Sequence, residues 1–254
     1  MTSTQRRCAA VFGCVLVLGG CGGSASSSPP AEPLGTGAVQ VRFLEGAPSL
    51  DVLVNGIPTD LGAAYLTVGG ATIATSFPYG TLTPFSSFPA GTLSLEARDT
   101  SGYVVGPVKM GTLAAGKRYT AVLLGTYPAY RVATFEEPSN GNGASLAVYE
   151  ASPAFPSADF GSFRASTRSR FKKLGNARFG NVATASLGNR RSNFGASVGT
   201  GVTPIPGGAL TVQNVDPFDS GNALPFHNAV RLSLFVLDPL PSSSNGPVFG
   251  SLDL

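Results

Sequence analysis

The sequence predicts an all-β protein, and three observations carry that expectation. Glycine and proline are abundant, at 33 and 20 of 254 residues. No window repeats its apolar residues with the 3.6-residue period of an amphipathic helix. Short runs rich in β-branched and aromatic residues alternate instead with Gly, Pro, Asn and Ser turns, the pattern of a sandwich or barrel. Apolar residues make up 43% of the chain and charged ones 12%, which is too apolar for a disordered segment.

Residues 1–20 read as a signal peptide. Arg6 and Arg7 form a positive start, Ala9 to Leu18 an uncharged apolar run, and Gly19 and Gly20 a small-residue end. The run is shorter than the roughly 20 residues a spanning helix needs. Leu18-Gly19-Gly20-Cys21 resembles the lipobox of bacterial lipoproteins. That resemblance implies lipidation at Cys21, which then becomes the N-terminus. Gly22 after it, rather than Asp, resembles the outer-membrane sorting pattern. Residues 21–34, with the run GGSASSSPPAEP, suit a flexible tether. The expected location is the exported face of a bacterial cell membrane or outer membrane.

The other cysteines, Cys8 and Cys14, fall inside the signal. A chain processed at Cys21 keeps no thiol for a disulfide or a thiolate metal site. Removal of Arg6 and Arg7 leaves 15 basic residues against 14 acidic ones. That balance is no nucleic-acid footprint. Its distribution is uneven, because Arg164, Arg168, Arg170, Lys172, Lys173, Arg178, Arg190 and Arg191 cluster with no Asp or Glu among them.

The first body is expected over 35–138. Val39 to Phe43 alternates apolar and polar residues, as a half-buried strand does. Leu50 to Val54 ends in Asn55-Gly56, a strong hairpin signal. Ala64 to Val68 and Thr72 to Phe77 flank Gly69-Gly70, and Thr81 to Phe88 follows Pro78-Tyr79-Gly80. Thr92 to Arg98 puts Leu93, Leu95 and Ala97 on one face. Val104 to Leu113 contains Pro107 and suits an edge. Ala114-Ala115-Gly116 turns into Arg118 to Leu124, which is apolar on both faces after Thr120 and therefore central. Tyr130 to Glu136 closes the body. About eight strands with regular turns fit an immunoglobulin-like sandwich.

The blocks VRFLEGAPSLDVLVNG, FPYGTLTPFSSFPAGTLSLEARDTSG and LAAGKRYTAVLLGT are similar to those of the bacterial domain-of-unknown-function 4397 family. The similarity covers nearly all of Val39 to Pro138. It implies an exported immunoglobulin-like or transthyretin-like sandwich, often in tandem behind a lipobox, with no established activity. Where the family has His-Ala-Ser-Pro, this chain has Glu45-Gly46-Ala47-Pro48, so a role for that histidine is absent.

Residues 139–144 read as a linker, and a second, degenerate sandwich is expected over 145–254. Leu146 to Pro153 parallels Val41 to Pro48, Ala177 to Val182 parallels Phe77 to Leu82, and Arg231 to Leu237 parallels Arg118 to Leu124. Pro206 to Val212 echoes Pro89 to Leu95. The polar stretches Arg164 to Lys173 and Gly188 to Thr203 read as loops.

Several motifs resemble catalytic or ligand sites. Gly195-Ala196-Ser197-Val198-Gly199 matches G-x-S-x-G, with Asp216, Asp219 and His227 following in hydrolase order. A nucleophile elbow needs a strand-to-helix turn, whereas proline and more glycine follow here, so a glycine-rich loop is expected. Gly111 to Lys117 is one residue short of a phosphate-binding loop, and Arg118 stands where Ser or Thr should hold Mg²⁺, so a hairpin turn is expected there. His227 is the only histidine, and Asp216 to Asn222 lacks the spacing of a calcium loop. Glu136-Glu137 reads as a solvated strand end. The expected function is a lipid-anchored, non-enzymatic binding, adhesion or structural module without cofactor or metal. Its partners are the membrane through Cys21 and a protein or glycan of the envelope. The alternative is an envelope hydrolase using Ser197 and His227. The basic cluster has two readings, a solvated loop and a contact with an anionic surface.

Overall fold

The computed structural model describes residues 37–47, 52–54, 57–59, 65–77, 79–98, 104–126, 129–139, 145–164, 167–186, 193–198, 231–238 and 248–253. The described residues form strands and turns with no helix. The first half contains β1 (Ala38–Glu45), β2 (Val52–Val54), β3 (Ile57–Thr59), β4 (Tyr65–Val68), β5 (Ala71–Ala74), β6 (Ser86–Pro89), β7 (Gly91–Arg98), β8 (Val104–Leu113), β9 (Arg118–Thr126) and β10 (Ala129–Glu136). The second contains β11 (Ser145–Glu150), β12 (Ser157–Arg164), β13 (Thr167–Arg178), β14 (Val182–Ser186), β15 (Asn193–Val198), β16 (Arg231–Val236) and β17 (Val248–Asp253).

Most first-half strands form where alternation and turn chemistry require them. Gly69 and Gly70 have φ of 56° and 83°, which suits the tight hairpin that pairs Val68 with Ala71. Val54 pairs with Ile57 across Asn55-Gly56, and those two residues lie outside the described ones. Leu95 and Ala97 are buried, and Leu93 packs against the same core. Strand β8, with Pro107, lies at the edge of its sheet. Thr81 to Phe88 pairs only over β6, apart from a single bridge between Leu44 and Leu82.

The sheets stack in layers. Sheet β5-β4-β7-β8 and sheet β10-β9-β1-β6 enclose one core, with Leu66, Leu95 and Met110 meeting Val41, Phe43, Ala121 and Leu123. Sheet β14-β11-β16-β17 and sheet β13-β12-β15 enclose another, with Leu146, Val148, Leu232 and Leu234 meeting Phe160, Ala177 and Phe194. A third apolar layer joins the halves. Leu44, Val122, Leu124 and Phe135 pack there with Ala147, Tyr149, Phe235 and Leu237. Tyr149 stacks on Phe235 at 4.5 Å and meets Phe135 edge-on at 5.7 Å. The two inner sheets are therefore covered on both faces. This is why Ala121 to Leu124 is apolar throughout: Ala121 and Leu123 face one core, and Val122 and Leu124 face the other half.

The inner sheets share a plan. In each, an antiparallel, a parallel and another antiparallel pairing follow in order, along β10-β9-β1-β6 and along β17-β16-β11-β14. The main chain repeats in detail. Gly80 N–H donates to the Glu45 carbonyl and Gly180 N–H to that of Glu150, both at 2.8 Å. Glu45 N–H donates to Thr81 O at 3.0 Å, and Glu150 N–H to Asn181 O at 3.1 Å.

Three expectations are corrected. Within Arg164 to Lys173, Arg164 ends strand β12 and the residues from Thr167 onward belong to strand β13 rather than to a loop. The strand's alternation is obscured by register shifts at Phe160/Gly161 and Ser162/Arg164 in the pairing with β12. Within Gly188 to Thr203, Asn193–Val198 is strand β15 rather than loop. The turn at Ala115-Gly116 is present, but it carries the chain from β8 in an outer sheet to β9 in an inner one, not around a hairpin.

The layer between the halves should be energetically large. Phe235→Ala is expected to lower the unfolding free energy by about 3–5 kcal/mol. Urea denaturation checks this through a lower midpoint at unchanged slope.

Candidate functional site at the junction of the halves

Strand β10 ends at Glu136, and Glu137 N–H then bonds to Arg118 O at 2.8 Å. That bond continues the ladder by one residue and sets the Glu137 side chain between the inner sheets, where it is 5% exposed. Its Oε1 accepts from Arg42 Nη2 at 3.1 Å and from the Thr120 hydroxyl. Its Oε2 accepts from Tyr149 OH at 2.7 Å and Arg231 Nη1 at 3.0 Å. Arg42 and Thr120 are cross-strand partners on β1 and β9, and Arg42 Nε donates to Thr120 Oγ1 at 2.7 Å. Arg42 Nη2 also reaches Ser233 Oγ at 3.5 Å, while Arg231 Nη2 donates to Pro138 O at 2.5 Å. One carboxylate thus ties both halves and the start of the connecting segment.

The reading of Glu136-Glu137 as a solvated strand end is half corrected. Glu136 is exposed and pairs with Lys117 Nζ at 2.8 Å. Glu137 is buried because its sheet has a second covered face. Sequence reasoning also missed Arg42, Thr120, Tyr149, Arg231 and Ser233. A signal for them exists in the two-sided apolarity of Ala121 to Leu124 and of Leu146 to Tyr149. Strands covered on both faces leave their polar residues buried, and buried charges require partners.

A cleft of about 500 Å³ opens beside this cluster, lined by Gly116, Lys117, Arg118, Glu136, Glu137, Pro138 and Ser139. Arg118 lies 3.9 Å over the Phe85 ring, and Arg42 lies 4.8 Å from it. Both oxygens of Glu137 are engaged by protein donors. That arrangement suits a clamp, not a general base, which must reach a substrate proton.

A second polar contact closes the other end of the layer. Arg131 Nη2 pairs with Asp238 Oδ2 at 3.2 Å, and Ser152 Oγ donates to Asp238 Oδ1 at 2.8 Å. Beside it, buried Glu150 accepts from Ser152 N–H at 3.0 Å, as Glu45 accepts from Ala47 N–H at 2.6 Å. Burial lifts the Glu150 carboxyl to about 8. The Ser152 N–H opposes that rise and the Asp238 charge adds to it.

The residues singled out by motif do not assemble at this junction. Ser197 sits in the ladder of β15 as the register partner of Asp159. Its backbone is a strand, neither an elbow nor the expected glycine-rich loop. His227, Asp216 and Asp219 lie outside the described residues, as do Cys21, Arg190 and Arg191. Arg164, Arg168, Arg170, Lys172, Lys173 and Arg178 fall on β12 and β13. For these six residues the loop in that reading is corrected to strand. Lys172, Lys173 and Arg178 are exposed, and Lys173 Nζ bonds Asp159 at 2.6 Å. That hydrogen bond lowers the Asp159 carboxyl, against partial desolvation. Among the described residues no group of His, Cys, Asp and Glu has a metal-holding arrangement.

Layers and junction together define an all-β protein of sandwich type. Residues 39–161 match the model of the domain of unknown function 4397 (DUF4397), and that segment belongs to the family. The match runs past Pro138, through β11 and into β12. No curated protein matches the chain. Among solved structures, the family CBM26 module of Eubacterium rectale Amy13K, crystallised with maltoheptaose, aligns with 84% of this chain and 96% of its own. The identity is 10% and the TM-score 0.22, so the likeness defines neither topology nor ligand.

Two outcomes test the junction. Glu137→Ala leaves two buried guanidinium groups without their shared carboxylate, and should cost about 3–5 kcal/mol in chemical denaturation. Glu150 should make stability pH-dependent. Its folded value, about 8, lies above the ordinary 4.5, so folding favours the protonated form. The contribution is complete below about pH 4.5 and is lost as pH rises through about 8. Between those limits wild-type stability should fall by up to about 1.4 kcal/mol per pH unit. Glu150→Gln keeps the acceptor for Ser152 and should flatten that slope. Equal slopes in the two proteins would remove Glu150 as the cause.

Proposed function

We propose that this chain is a lipid-anchored cell-envelope protein, in which two immunoglobulin-like sandwiches in tandem are locked into one rigid, non-enzymatic binding or spacing module. The observation that carries the reading is the buried layer between the halves, clamped by Glu137. Such a layer suits a body that holds its shape at the end of a tether. The tandem reading is supported by the shared pairing order of the inner sheets and by the matching hydrogen bonds around Glu45 and Glu150. Anchoring is supported by Leu18-Gly19-Gly20-Cys21 behind a charged and then apolar segment. Dual or triple acylation holds a protein at a membrane almost permanently, at about 0.8 kcal/mol per buried CH₂.

Metabolic labelling with an alkynyl fatty acid in a bacterial host tests the anchor. Wild-type protein should take up the label and sediment with membranes, whereas Cys21→Ser should lose the label and leave the membrane fraction. Labelling that survives the substitution, or wild-type protein without label, would overturn the anchor.

A further inference from the structure

The charge of this chain is segregated. Residues 163–191 hold eight basic residues and no acid. The other residues after position 20 hold seven basic and 14 acidic ones, a net of −7 against +8. The fold gathers much of the basic set on one outer layer. Arg164 ends β12, and Arg168, Arg170, Lys172, Lys173 and Arg178 lie along β13. The one acidic residue on the three strands of this sheet is Asp159, and Lys173 already bonds it. Lys172 and Arg178 are exposed beside it. Strand β13 pairs along the whole of β12, from Arg178 opposite Ser157 to Thr167 opposite Arg164, a length of roughly 25 Å, so its basic positions form a stripe and not a point.

The apolar residues among these charges separate two kinds of anionic partner. Insertion into a bilayer calls for apolar side chains turned outward. Phe160 and Phe194 instead fill the inner core, and Phe171 is half-buried. The outward positions described on β12 and β13 are polar, and Asn176 Nδ2 donates to Asp159 Oδ1 at 2.7 Å. Phe179, 43% exposed, stands at the turn after β13.

We propose that the outer sheet β13-β12-β15 is a docking surface for an acidic polysaccharide, whose regularly spaced anionic groups run along the basic stripe of β13. This deepens the binding reading above without depending on lipidation. Polyanion binding of this kind draws on counterion release and weakens with salt.

The test uses full-length protein in neutral detergent, with polygalacturonate as the acidic polymer and dextran as the neutral one. Expected is retention by polygalacturonate alone, falling as salt rises. The double variant Lys172→Glu/Arg178→Glu should bind at least about tenfold more weakly. Lys109→Glu makes the same change of net charge as Lys172→Glu alone, at an exposed residue off this sheet, and should bind like wild type while Lys172→Glu binds more weakly. Equal weakening by these two single variants would overturn the proposal, since net charge alone would then explain binding. Equal retention on dextran would also overturn it, as would tighter binding to anionic vesicles or duplex DNA than to polygalacturonate. Loss of the fatty-acid label at Cys21 with polymer binding intact would overturn the anchor and leave this surface standing.

Discussion

The structure depends on covering the second face of its two inner sheets. A sheet with one wet face can place a charge there at little cost. Once both faces are buried, each charge must find a partner or destabilise the fold by several kcal/mol. Glu137 meets that constraint for the whole junction. Its two oxygens receive Arg42 and Thr120 from the first half, and Tyr149 and Arg231 from the second. Arg231 also takes the Pro138 carbonyl. The orientation of the halves is thus fixed by hydrogen-bond directions at the start of the connecting segment, not by the length of that segment.

The halves agree where the main chain sets geometry and differ where they touch. In register, Arg42 and Thr120 of the first half stand where Ala147 and Ser233 stand in the second. Leu44 and Val122 likewise stand where Tyr149 and Phe235 do. One half supplies a long cation where the other has an alanine, and the other supplies an aromatic pair where the first has aliphatic residues. Two equal inner faces would bring arginine against arginine. The inequality lets Arg42 reach across toward Ser233 and share a carboxylate with Arg231. Gly46 shows the same fitting at the other end. A Cβ there would lie 2.9 Å from Leu123 O and 3.1 Å from Leu237 Cδ2. The small residue at that place in the Glu-Gly-Ala-Pro block is thus explained by the close approach of the β9 backbone together with the packing of Leu237 from the second half.

This division explains what could be read from the sequence. Strands with one dry face announce themselves, as Leu93, Leu95 and Ala97 do, and so do the glycine pair at 69–70 and the edge strand containing Pro107. Arg118 to Leu124 was legible as central, but the reason lay in a neighbouring sheet that no local pattern reveals. Arg42 looks like any outward residue of an alternating strand. Glu137 looks like a charged end beside Glu136, whereas one of the two is solvated and the other is the hub. Strand β13 was hidden for a different reason. It lies on an outer layer, its partner pairing is shifted at Phe160/Gly161, and its charges outnumber its apolar residues. Alternation is lost there while the backbone ladder persists.

The same architecture accounts for a fold that uses no disulfide. The three cysteines are Cys8, Cys14 and Cys21, all ahead of the first strand, so no covalent bridge joins the sheets. A domain of this size can bury enough surface to fold without one, but the halves taken apart would expose Val122, Leu124 and Phe135 on one inner face and Tyr149 and Phe235 on the other. Fusing them through a third apolar layer removes that surface from water, at about 25 cal/mol per Å² of apolar area. The ionic clamp adds direction to an attraction that has none of its own. Burial holds the halves together, and Glu137 decides in which register they meet.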